Sequence, residues 1–107
     1  LEEMWPISVQ ELKKRYLFGD QNFIYNGSVL FVITAVITRS YIKYDERSFR
    51  FALIESGHLC QNILLLATSC GLKACPIGGF KEKEIIRLLD ISEEELELPI
   101  YCVVVGK

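Results

Sequence analysis

Helical and extended segments alternate along this chain, which predicts a mixed fold, α/β or α+β, with helices packed on a sheet. Three stretches carry the prediction: the uncharged β-branched run from Val29 to Ile37, a long helical pattern from about Glu46 to Cys70, and a closing apolar run from Ile100 to Val105. The 107 residues suit one domain, able to bury roughly two thirds of the surface of its unfolded chain.

Ser8 and Glu11 form a capping box after Pro6 and open a short basic helix through Leu12, Lys13 and Lys14. Gly19 to Gly27 reads as an irregular surface segment. The run VLFVITAVI, Val29 to Ile37, holds no charge, so it is expected as a strand covered on both faces and central in its sheet. From Glu46 to Cys70 the residues Phe49, Leu53, Leu59, Ile63 and Leu66 recur near helical spacing, and Gly71 stands where a left-handed C-cap belongs. Such a helix extends about 37 Å at 1.5 Å per residue. Its stretch Ile63 to Ala67 is apolar on every side, which calls for burial from all directions and hence for a partner subunit. Glu55, His58 and Asn62 share one stripe of the same helix, suited to water or an interface on one reading and to a ligand on the other. Leu72 to Ile77, interrupted by Pro76, reads as an edge strand or strand end. Lys81 to Leu89 is an amphipathic helix, Ser92 to Glu95 a second capping box, and Ile100 to Val105 the last strand.

Composition narrows the function. Apolar residues make up 50% and charged residues 24%, with a formal charge of −2, which argues against disorder and against a basic nucleic-acid stripe. Cys60, Cys70, Cys75 and Cys102 form no CxxC pair and share the chain with one histidine, so the usual zinc spacings are absent. Free thiols in a reducing, cytoplasmic compartment are the expected state. Leu59 to Leu72, the longest uncharged stretch after His58, is too short and polar for a bilayer span of about 20 residues. The chain opens on Leu1, Glu2 and Glu3, with neither a secretory signal nor a methionine, as a processed or cut chain would.

Two constellations carry possible chemistry. Gly78-Gly79, between an extended segment and a helix, would let the main chain approach a ligand and present amide donors to it, or would serve as a simple turn. Lys43-Tyr44 would move a proton if desolvation favoured the neutral amine, or would belong to a solvated charge run with Asp45, Glu46 and Arg47. A serine or cysteine hydrolase is disfavoured, because Cys60 lies inside a helix and His58 has no nucleophile elbow nearby.

The run ITAVITRSYIKYDERSFRFALIESGHLCQNILLLATSCGLKACPIGGF, followed by a short amphipathic helix and LPIYCVVVG, resembles the nitroreductase-like flavoenzymes. More narrowly it is similar to their SagB-type dehydrogenases, the azoline oxidases of thiazole/oxazole peptide maturation. The likeness covers about Val29 to Gly106. It implies an α+β fold, a central sheet flanked by helices with the long helix at a homodimer interface, and it implies that residues 1–107 are the C-terminal part of such a domain. It also implies flavin mononucleotide (FMN) bound between subunits, with Gly78 and Gly79 at the ring, Pro76 and Ile77 flanking it, and a backbone amide on N5. The family's catalytic Lys-Tyr pair falls on Lys43 and Tyr44, whose implied role is to take a substrate proton while hydride leaves for the flavin. NAD(P)H and a small-molecule or peptide substrate are the implied reactants; nucleic acid and membrane are not. The arginine-rich motif and the basic segment that hold the flavin phosphate in the family have no counterpart here, and Arg39, Arg47 and Arg50 are candidates by charge alone. A non-catalytic dimerisation scaffold derived from a flavoenzyme is the alternative.

Overall fold

The computed structural model describes residues 6–91 and 96–107, and of residues 40–42 the backbone. Ser92 to Glu95, expected as a capping box, lie outside the described residues. Helix α1 (Val9–Lys14) starts where Ser8 Oγ accepts from the Glu11 amide at 3.1 Å. Strand β1 (Val29–Val36) runs directly into α2 (Ile37–Tyr44), and a 3-10 turn at Asp45–Arg47 separates α2 from the long α3 (Ser48–Ser69). Strand β2 (Lys73–Ile77), α4 (Glu82–Leu89) and β3 (Glu97–Gly106) complete the order.

The three strands pair in the order β1-β3-β2, antiparallel throughout. The central strand is therefore β3, which corrects the expectation that Val29 to Ile37 takes that place. Among the described strands β1 pairs on one edge only, and Val29 and Phe31 are exposed. Both runs are apolar and β-branched, and composition does not say which of them the other strands will flank. The register of β1 on β3 slips between Ile33 and Thr34, opposite Tyr101 and Pro99, a bulge that accommodates a proline in a central strand.

Alternate residues of β3 serve opposite layers. Cys102 and Val104 face Leu12, Leu17, Phe18, Ile24, Tyr25 and Ile85, with Val32 and Ile77 from the flanking strands. Val103 and Val105 face Cys60, Ile63, Leu64 and Ala67 of α3. The segment from Gly19 to Gly27 is thus no mere surface loop, since its 3-10 turn (Asn22–Asn26) buries Ile24 and Tyr25. Each such side chain removed from water contributes about 1.5–3 kcal/mol.

The face of α3 also needs correction. Ser48, Ser56, Cys60 and Ala67 are buried, while Phe49, Leu53, Leu59 and Leu66 from the expected stripe are exposed. Apolar residues recur so densely here that more than one stripe has helical spacing, and the smaller residues fit the close approach to the sheet. Leu65 and Leu66 remain 60% and 66% exposed, so the helix is greasy on its outer side too. Among the described residues no helix is long and apolar enough to cross a membrane.

Gly71 ends α3 at φ +74°, with its amide on the Thr68 carbonyl (3.0 Å) and the Leu72 amide on that of Ala67 (2.9 Å), a Schellman closure. A Cβ at Gly71 would meet nothing within 4 Å, so substitution costs conformation alone. Gly71→Ala is expected to destabilise by about 1–2 kcal/mol in urea unfolding, the penalty of a left-handed alanine.

Candidate functional site

Among the described strands β2 lies at an edge, and Pro76, which has no N–H to give, occupies it opposite Val103. Beyond Ile77 the chain leaves the strand as a loop through Gly78-Gly79, both exposed. Neither glycine has a left-handed φ, so the turn does not demand glycine for its backbone, contrary to expectation. Space does not demand it either: a Cβ at Gly78 would touch nothing within 4 Å, and one at Gly79 would lie 3.6 Å from Gln21 Nε2. The amides of Gly78, Gly79 and Phe80 donate to no described residue. An open, side-chain-free surface with unspent donors is what remains.

This turn is tied to the α1 side of the sheet. Gln21 Nε2 donates to the Gly79 carbonyl at 2.8 Å and to that of Phe18 at 3.1 Å, and the Lys81 amide donates to Leu17 at 2.9 Å. Gln21 was not legible as a site residue, because its partner is 58 positions away and no local pattern announces it. Helix α4 follows, with Glu82 and Glu84 in its first turn, so its positive end already faces carboxylates. Arg15 bonds Glu11 (2.9 Å) and Glu84 (3.3 Å) across a polar cleft and ties α1 to α4.

Lys43 and Tyr44 end α2 in the other layer. Tyr44 stacks edge-on against Phe51, ring centroids 4.9 Å apart and planes at 89°. In one continuous helix two residues seven apart stand about 10.5 Å apart along the axis. The break at Asp45, φ +54°, is what brings these rings together. Lys43 Nζ lies 5.2 Å from the Tyr44 centroid, while Arg47 and Arg50 lean on Phe51 at 6.0 and 5.6 Å. Lys43 is exposed among the described residues. Tyr44 walls an open cleft of about 360 Å³ with Ile33, Phe51, Glu55, Leu59 and Ile100. The lysine-tyrosine pair and the glycine turn are anchored in different layers, and among the described residues no hydrogen bond joins them.

Glu55, His58 and Asn62 are all exposed on α3. The four cysteines are free thiols, and among the described residues no three His, Cys, Asp or Glu side chains are grouped to hold a metal ion. Burial pushes the Cys102 thiol up to about 12. Burial also raises Cys60, opposed by its hydrogen bond with Tyr101.

The model of the Nitroreductase family matches residues 1–107. The chain is 38% identical over 78 residues to the nitroreductase-like protein MJ1384 of Methanocaldococcus jannaschii, covering 73% of this chain and 39% of that one. It is 25% identical over 93 residues to the microcin B17-processing protein McbC of Escherichia coli, covering 87% of this chain and 34% of McbC. Among solved structures, B. megaterium NfrA2 superposes with a TM-score of 0.76 at 26% identity, over 92% of this chain and 45% of that one. The chain spans less than half the length of each of these relatives.

The Cys102 shift sets a pH dependence. An unfolded thiol ionises near 9.0 whereas the folded one holds its proton to about 12, so stability is level below pH 9 and falls as pH rises between those values. Urea midpoints measured across this range should decline, and Cys102→Ala should make the decline shallower.

Proposed function

The chain belongs to the nitroreductase family, and from that premise we propose that it forms part of an FMN-dependent oxidoreductase of the SagB-type dehydrogenase kind. The observation that carries the reading is the glycine turn. Nothing among the described residues requires glycine at 78 or 79, yet both leave open surface beside amides without described acceptors. That arrangement fits the edge of a flat, electron-rich ring, which needs donors and close approach. When bound there, FMN would supply the hydride acceptor. Pro76 would flank the ring, Ile77 would reach it through its backbone alone because its side chain is buried in the core, and Gly78 and Gly79 would orient it through main-chain donors that add no competing acid. Tyr44, on the cleft beside Phe51, and the neighbouring Lys43 would take the substrate proton. Likeness to McbC, a microcin B17-processing protein, supports the SagB-type assignment and a peptide substrate, with a small molecule as the other candidate; NAD(P)H would be the donor in the reductive direction. The exposed apolar side of α3, with Ile54, Leu65 and Leu66, supports a homodimer. The free thiols suit a reducing, cytoplasmic compartment.

Gly78→Ala tests the turn. It is expected to leave the urea midpoint unchanged or to raise stability by about 0.4–1 kcal/mol through the unfolded chain, while weakening FMN binding in a fluorescence titration. Lys43→Ala in the flavin-loaded full-length protein should lower turnover about 10²–10⁴-fold with the flavin still bound. Unchanged turnover would leave a general nitro- or quinone-reductase, and a stable dimer without flavin uptake would indicate a scaffold.

A further inference from the structure

We propose that Gln21 is a positioning residue that aims the glycine turn's amide donors, a deepening of the flavin reading above. Its side-chain amide spans two carbonyls, those of Phe18 at 3.1 Å and Gly79 at 2.8 Å. The base of this span is rigid. Leu17 and Phe18 are 0% and 1% exposed, and the Gln21 backbone amide also donates to Phe18 at 3.2 Å. A second tether, the Lys81 amide on the Leu17 carbonyl at 2.9 Å, fixes the other end of the turn.

The consequence follows from peptide geometry. The Gly79-Phe80 bond is trans and planar, so its carbonyl and its N–H point to opposite sides. With the Gly79 oxygen held on Gln21, the Phe80 N–H is directed away from Gln21, and it has no acceptor among the described residues. Gln21 touches neither ring nor substrate in this scheme. It acts by removing the freedom of a glycine peptide to flip, the main entropic cost of binding through such a turn.

The test compares the wild-type full chain with Gln21→Met, which keeps the length and loses the donor, and Gln21→Lys, which restores a donor. FMN affinity is read by fluorescence and the Gly79 and Phe80 amides by proton NMR and hydrogen exchange without flavin. Gln21→Met should weaken FMN binding about tenfold, the scale of one hydrogen bond, and displace the Phe80 amide signals and speed their exchange, with a urea midpoint lowered by no more than the loss of its two hydrogen bonds. Gln21→Lys should recover both. Wild-type affinity and unmoved amides in Gln21→Met would overturn the proposal. If the wild type itself took up no FMN, the flavin reading would fall, and the amide signals alone would decide the role of Gln21. Should Gln21→Met not fold, Gln21→Glu, isosteric and without the donor, replaces it under the same criteria.

Discussion

Everything in this fold hangs on β3. It donates and accepts along both edges, to β1 on one side and β2 on the other, and it sends alternate side chains into two separate cores. Cys102 and Val103 are both 0% exposed although they point in opposite directions. A strand buried on both faces and paired on both edges has no side left for water. The helices on either face are therefore located by which β3 residue they cover, α4 and the 17–25 segment over Cys102 and Val104, α3 over Val103 and Val105.

That division explains why the two candidate groups are separate. The glycine turn leaves the sheet at Ile77, whose neighbour is Cys102, and is drawn toward the layer that holds Leu17 and Phe18. Lys43 and Tyr44 follow β1 into the layer of α3. Packing supplies rigidity on each side, and the unsatisfied groups face outward: amides at one site, a cation-rimmed aromatic pair at the other. Polar function sits where the cores end.

Local chemistry was legible in the sequence and long-range pairing was not. Ser8, Gly71 and the amphipathic face of α4 announce themselves within a few residues, because caps and helical faces are decided by neighbours three or four apart. The choice between β1 and β3 as centre depends on which strands find each other, and both contain apolar runs rich in β-branched residues. The buried stripe of α3 is ambiguous in the sequence because apolar residues occupy more than one face of that helix, which leaves little periodic signal. The break at Asp45 needed a left-handed aspartate, which no glycine marked. Of the site, the glycines and the Lys-Tyr pair stand out as motifs. Gln21 does not, since a clamp closed across 58 residues leaves no trace in either local segment.

Pro76 has an effect beyond the turn it precedes. An exposed sheet edge is a template on which another chain can add a strand, and a proline there withholds the hydrogen bond that such growth requires. Lys73 places a charge on the same edge. The opposite edge, VLFVITAV, has neither charge nor proline. Among the described strands the two outer edges are therefore unequal: β2 withholds a donor and carries a charge, whereas β1 does neither.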